Sequence, residues 1–132
     1  MNNDFTLNIT AEFEDVDSYG IVHHTKLVAY LERARVRFIT RLGFDINGSD
    51  AVPVLYDMRL HFRKPARFMD VLQVHVRPVA FDGFRLTLQC RIQRDGDTLL
   101  RAKTEIVFFD RQQQRAVEAP KVFQDAFERW KS

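Results

Sequence analysis

Residues 25–43, Thr25-Lys26-Leu27-Val28-Ala29-Tyr30-Leu31-Glu32-Arg33-Ala34-Arg35-Val36-Arg37-Phe38-Ile39-Thr40-Arg41-Leu42-Gly43, carry the chain's only long helical pattern. Leu27, Leu31, Ala34, Phe38 and Leu42 fall at i, i+4, i+7, i+11 and i+15, and Tyr30 and Ile39 widen that apolar stripe. Lys26, Glu32, Arg33, Arg37 and Arg41 occupy the flanks and far side. Thr25 is the expected N-cap, and Gly43 stands where a helix end favours a residue tolerant of positive φ. One strongly amphipathic helix needs one apolar surface to lie on.

The flanking sequence supplies that surface. Before the helix, Phe5, Leu7, Ile9, Ala11 and Phe13 share one parity, which predicts a first strand, and Glu14 to Gly20 reads as a loop. After the turn Asn47-Gly48-Ser49-Asp50, everything from Ala51 to Phe109 reads as strand, with a clean period of two over three of the strands. Val52, Val54, Tyr56, Met58, Leu60 and Phe62 form one expected face, and Lys64-Pro65 ends that strand. Leu72, Val74 and Val76 line the next, up to Pro78. Phe84, Leu86, Leu88, Cys90 and Ile92 line the one after, and Asp95-Gly96 is a hairpin turn signal. Leu100, Ala102, Thr104, Ile106 and Phe108 line the last, and Pro120 to Trp130 forms a short closing helix. The expected architecture is α+β: a curved, five-stranded antiparallel sheet around one long helix inserted after the first strand. Its exposed edges invite dimerisation by edge pairing.

The 132 residues fit one domain, 1–132, and the 45% apolar content excludes wholesale disorder. A formal charge of +2 is no bulk nucleic-acid signature, so no nucleic-acid partner is expected. Cys90 is the lone cysteine; its parity is that of the core, and a single thiol excludes an intrachain disulfide and suits a reducing compartment. No apolar run is long enough for a membrane span, and Met1 to Asp4 shows no basic, signal-like start. The expectation is a soluble, cytoplasmic domain.

Reactive groups concentrate between Glu14 and His24: Glu14, Asp15, Asp17, Ser18, Tyr19, His23 and His24. A carboxylate beside a helix N-terminus suits hydrolysis at a carbonyl, because free backbone N–H groups hold a developing oxyanion while the carboxylate attacks or activates water. Asp15 reads as a loop-stabilising acid and Glu32–Arg35 as an i, i+3 pair. No third group completes a triad with Ser18, and adjacent histidines in an extended loop point apart, so no metal site is expected from His23, His24 and Asp17. Phe81, in a turn, is a candidate cover for a substrate channel.

The run Phe13-Glu14-Asp15-Val16-Asp17-Ser18-Tyr19-Gly20-Ile21-Val22-His23-His24, continuing to Tyr30-Leu31-Glu32-Arg33-Ala34-Arg35 and Leu42-Gly43, resembles the hotdog-fold thioesterases of the 4-hydroxybenzoyl-CoA thioesterase type. It is similar too to the bacterial acyl-CoA thioesterases linked to the Tol–Pal system. Phe62-Arg63-Lys64-Pro65-Ala66 and Asp70-Val71-Leu72 extend the resemblance. It implies a hotdog fold, hydrolysis of an acyl thioester to free acid and thiol, and no metal or redox cofactor. It further implies Asp17 as catalytic carboxylate, nucleophile or general base, and the His24 N–H as the group that polarises the thioester carbonyl. Sites at a subunit interface of a homodimer, assembled to a homotetramer, are implied as well.

Tyr19, Gly20, Val22 and His23 are the expected substrate contacts around Asp17. The sequence departs from the family pattern in three places. Lys26-Leu27 replaces a usual Asn-Tyr, and Tyr19 replaces a small residue. Val79 to Gly83 holds no cation where the 4-hydroxybenzoyl enzyme has a basic cluster for CoA phosphates. Arg63, Lys64 and Arg67 are therefore the candidates for phosphate contact. The substrate expected is an acyl-CoA; the alternatives are an acyl group on an acidic carrier protein, or thioester binding without turnover.

Overall fold

The computed structural model describes residues 4–131. Met1 to Asn3, part of the start read for a secretory signal, lie outside the described residues, as does Ser132. The chain runs β1 (Phe5–Thr10), α1 (His24–Arg41), β2 (Ala51–Phe62), β3 (Val71–Phe81), β4 (Arg85–Arg94), β5 (Asp97–Asp110), β6 (Arg115–Val117) and α2 (Lys121–Lys131). The sheet is antiparallel, in the order β1-β3-β4-β5-β2. The five long strands are those expected, except that β3 runs past Pro78 to Phe81, with an irregularity in its pairing between Pro78 and Ala80. The sixth has three residues, and β5 accepts it only where β4 has run out. Arg85, the first residue of β4, pairs with Val107, and β6 takes the next positions, Phe108 to Asp110.

The helix stripe meets the sheet as its spacing requires. Leu27, Tyr30, Leu31, Ala34, Phe38 and Ile39 are buried against an inner sheet face that includes Leu72, Val74, Val76, Leu86, Leu88, Ile92 and Ile106. The helix starts earlier than expected: His23, not Thr25, is the N-cap, its ring Nδ1 accepting from the Thr25 N–H at 3.2 Å. Gly43 has φ +92°, the left-handed conformation that closes a helix C-terminus. Cys90 is a core residue, and burial pushes its thiol up to about 12.

The largest departure is in β2. Leu55 pairs with Ile106 and Asp57 with Glu105, so Tyr56 is an extra residue in a bulge. A one-residue bulge flips parity. Beyond it Met58, Leu60 and Phe62 face inward as expected, opposite Thr104, Ala102 and Leu100. Before it Pro53 and Leu55, not Val52 and Val54, oppose the buried Phe108 and Ile106. Tyr56 is left exposed, with the Arg85 guanidinium 4.8 Å from its ring centre. Phe13 also leaves the expected face: β1 stops at Thr10, and Phe13 lies exposed in a turn of 3-10 helix.

α2 closes one end of the core. Phe123 is fully buried, with ring centres of Phe108, Phe81 and Phe44 at 4.7, 5.6 and 5.7 Å. Phe81 is thus covered by α2 and packs into this aromatic group instead of standing over a channel. Val122, next to the buried Phe123 in sequence, is exposed. No helix among the described residues is long and apolar enough to cross a membrane. Because Phe123 joins β5, α2 and the segment after α1, Phe123→Ala is expected to destabilise the fold by about 3–5 kcal/mol, read by denaturant unfolding.

Candidate active site

The loop between β1 and α1 is fastened at three points. The first is Asp15. Its Oδ2 accepts from the buried Tyr30 hydroxyl at 2.6 Å and from the Glu12 N–H at 3.2 Å, and its carbonyl accepts from the His23 N–H at 3.0 Å. Lys26 Nζ stands 3.9 Å from Oδ1. Burial, then the Asp15 carboxylate that accepts its hydrogen bond, pushes the Tyr30 phenol well above its ordinary range, so it stays a donor. Asp15 is therefore the loop-stabilising acid expected of it, tied to the second turn of α1.

The second point is Asp17. Val16 and Val22 bridge as a minimal antiparallel pair, and Asp17 to Ile21 is the turn between them. The Asp17 N–H donates to the Ile21 carbonyl at 2.9 Å, and the Asp17 carbonyl accepts from Gly20, whose φ of +81° closes the turn. Asp17 Oδ1 accepts from the Tyr19 N–H at 2.9 Å and the Ile21 N–H at 3.4 Å. Among the described residues Oδ2 takes no partner. One oxygen fixes the carboxylate and the other is available.

The third point is the turn after β2. The Val22 N–H donates to the Ala66 carbonyl at 2.7 Å, and Ile21 bridges Arg67. That turn is itself clamped. Asp70 Oδ2 accepts from the Arg67 N–H at 2.8 Å and from Arg94 Nη1 at 2.6 Å, and the Met69 N–H donates back to Ala11. Burial raises the Asp70 carboxyl, but the Arg67 N–H and the Arg94 guanidinium outweigh it and hold the group below the ordinary range.

α1 begins where the loop ends. The His24 N–H, first of the helix, meets no acceptor among the described residues, while Thr25 N–H is taken by the His23 ring. The rings of His23 and His24 lie against each other, centres 4.3 Å apart and planes tilted by 30°, where they were expected to diverge; the change from extended cap to helix brings them side by side. The Phe62 ring stands edge-on to His24 at 6.3 Å, which puts the end of β2 beside the helix start. Asp17, Gly20, His23 and His24 thus lie on one short, hydrogen-bonded stretch of chain.

The other expected contacts divide. Tyr19 lies at the loop apex, 86% exposed. Val22 is in the core, its side chain buried, so it serves the loop and not the surface. Arg67 is beside the loop through its bridge to Ile21. Lys64 is drawn to the β4–β5 turn by an ion pair with Asp97 at 2.7 Å, and Arg63 is exposed with its N–H on the Leu99 carbonyl. Tyr30, Phe62 and the Asp70–Arg94 clamp escape sequence reading. The helical spacing of Tyr30 marked it as core, and Tyr30, Phe62 and Asp70 stood in the resembling motifs without a role.

Residues 11–127 match the thioesterase-like superfamily. The chain belongs to that superfamily. The match takes in the Asp15–His24 loop, α1 and the whole sheet from β2 onward. The acyl-CoA thioesterase YbgC of Haemophilus influenzae is 23% identical over 131 residues, 96% of each chain. Among solved structures, Slr0204, a 1,4-dihydroxy-2-naphthoyl-CoA thioesterase from Synechocystis, superposes with TM-score 0.85 at 19% identity over 93% of this chain and 94% of its own. SAV2348 of Staphylococcus aureus, solved in complex with CoA, does so with TM-score 0.89 at 16% identity over 96% and 83%. The fold is the hotdog fold, and as a member of the superfamily the chain is a thioester hydrolase.

The Asp70 clamp has a signed pH dependence. A carboxyl held below its ordinary 3.8 contributes stability that is present above that value and is lost as pH falls through the folded pKa. Asp70→Asn should cost about 1.5–3 kcal/mol at neutral pH, the range for hydrogen bonds to a charged group. The gap from wild type should close in acid, as followed by denaturant unfolding across pH.

Proposed function

We propose that this hotdog domain hydrolyses acyl-CoA thioesters, with Asp17 as the catalytic carboxylate and the His24 N–H as oxyanion donor. The observation that carries the reading is the pairing of an available Asp17 oxygen, on a fastened turn, with an unpartnered N–H at the start of α1. In the reaction Asp17 Oδ2 attacks the thioester carbon, or takes a proton from a water that does. The carbonyl oxygen gathers negative charge beside the helix N-terminus, where N–H donors and the helix dipole favour it. If Asp17 activates water, the C–S bond breaks, the proton taken by Asp17 passes to the leaving thiolate, and the free acid departs. If Asp17 attacks, the C–S bond breaks to leave an acyl–Asp17 anhydride, and a water then hydrolyses it, which restores the carboxylate, releases the free acid and supplies the proton that the thiolate takes up.

The acyl group lies among Tyr19, Gly20, His23 and Phe62, with Arg63 and Arg67 as the nearer cations for the CoA phosphates. Lys64 is the weaker candidate because of its pair with Asp97. The names of the H. influenzae relative and of the CoA complex support this substrate class. A second subunit completes the site. β2 is a twelve-residue edge strand with one side unpaired, and Leu55, Tyr56 and Phe62 are exposed on it. Phe13 and Phe68, in edge contact at 6.0 Å beside the catalytic loop, are exposed too. We place the enzyme in the cytoplasm as a homodimer paired through β2 and doubled to a homotetramer.

The test is thiol release from short, medium, long and aromatic acyl-CoAs by wild type and Asp17→Asn side by side. Asp17→Asn should keep the fold and lose at least about 100-fold in kcat. Equal turnover in the variant would overturn the assignment. Release only from carrier-bound acyl groups would move the substrate to an acyl carrier protein, and binding without release would leave a thioester-binding module.

Tyr30→Phe probes the fastening. It removes one hydroxyl from a buried site and leaves the reacting groups in place. It is expected to lower kcat by about tenfold with KM unchanged, since geometry and not binding is lost.

A further inference from the structure

The sheet face turned away from α1 carries a shallow groove of about 550 Å³, a size that suits a small ligand. Arg59, Arg77, Arg91, Arg101 and Lys103 line it together with His61, and no acid does. The strand register sets them in two rows. His61, Arg101, Arg91 and His75 are direct cross-strand neighbours from β2 to β3, and Arg59, Lys103, Gln89 and Arg77 form the row beside them. Neighbours in a row are about 5 Å apart, and the rows about 7 Å.

Like charges directly opposite one another destabilise a sheet. This face places Arg91 against Arg101 and Arg59 against Lys103. Among the described residues compensation comes only from its margins. Asp4 reaches Arg77 at 3.4 Å and Arg91 at 3.5 Å, and Glu105 reaches Lys103 at 3.8 Å. Among the described residues Arg59, on the edge strand β2, and Arg101, on the neighbouring β5, make no ion pair. The His75 imidazole at the end of the row is held below its ordinary range by burial and then by the Arg91 charge. The whole chain has a formal charge of only +2, so the surplus is local to this face.

We infer that this groove is a binding site for a compact polyphosphate, two or more linked phosphoryl groups held by Arg59, Arg101 and Lys103. A monoanion meets one guanidinium; only closely spaced charges meet several at once. Guanidinium forks match phosphoryl oxygens in pairs, and a concave basic wall concentrates anions. The sheet fixes the spacing before binding, so little order has to be created. A second copy of this face is not the occupant, because it would set cations against cations. The polyphosphate belongs either to the nucleotide end of a CoA thioester, in which case this groove takes the phosphates in place of Arg63 and Arg67, or to a free nucleotide or inorganic chain.

The test uses inorganic tripolyphosphate and the full chain, by titration calorimetry in low salt with sulfate as control. Wild type should bind one tripolyphosphate per groove and bind sulfate far more weakly. The Arg59→Gln/Arg101→Gln double variant should lose at least about tenfold in affinity while keeping its thermal midpoint or raising it, because a like-charge row is relieved. Competition by CoA, with a KM increase in the double variant for acyl-CoA and not for acyl-pantetheine, assigns the site to the substrate's nucleotide. Absence of competition assigns it to a separate phosphorylated ligand. No binding to wild type, undiminished binding to the variant, or binding to anionic lipid vesicles in place of tripolyphosphate overturns the inference. Binding is read without turnover, so it stands or falls apart from the role of Asp17.

Discussion

The structure depends on one requirement: an eighteen-residue helix with a single apolar stripe must be covered by a sheet with a single apolar face. Burying both together sets the register of all five long strands, since a one-residue slip would turn each strand's buried set outward. It also fixes where α1 starts. The stripe begins at Leu27, so the chain must enter the helix just before it, and the loop from Asp15 to His23 has to span from β1 to that point. Reactive residues thus sit at the join because the packing leaves a short, sharply turned connection there.

Such a connection would be mobile if held only at its ends. Instead the Asp15 carboxylate binds the Tyr30 hydroxyl one face-turn along α1, and the Val22 N–H binds Ala66 across from it. The helix and the post-β2 turn grip the loop from two sides. Asp17 can then spend one carboxylate oxygen on the Tyr19 and Ile21 amides and still present the other in a defined direction.

The helix, the strand order along the chain and the place of the loop before the helix were legible in the sequence because each rests on local periodicity or composition. Leu27 to Leu42 repeat at helical spacing over several turns, and Leu86 to Ile92 alternate without interruption. The bulge at Tyr56 was not legible: an unbroken alternation from Val52 to Phe62 conceals a parity change that exists only in the pairing with β5. The N-cap was misplaced by two residues because a His ring, unlike a Thr hydroxyl, is a rare acceptor at that position. Phe81 looked like a loop aromatic because its partners, Phe123 and Phe127, are some forty residues away in sequence. The Asp70–Arg94 clamp joins two different turns in the same way.

The end of β2 shows how little separates the two chemical environments of this domain. Alternation sends Phe62 inward, to the edge of His24, and His61 outward, into the row with Arg101 and Arg91. On one side of the strand the surroundings are aromatic and face the candidate catalytic loop. On the other they are cationic and open to water. Neither arrangement constrains the other through packing, since adjacent residues of a strand share no face. The inner face is bound to its pattern by the core, but nothing in the fold demands arginine across four outer strands. That freedom is why the outer charge is informative: the fold tolerates it at some cost, and its reason must lie in what the face meets.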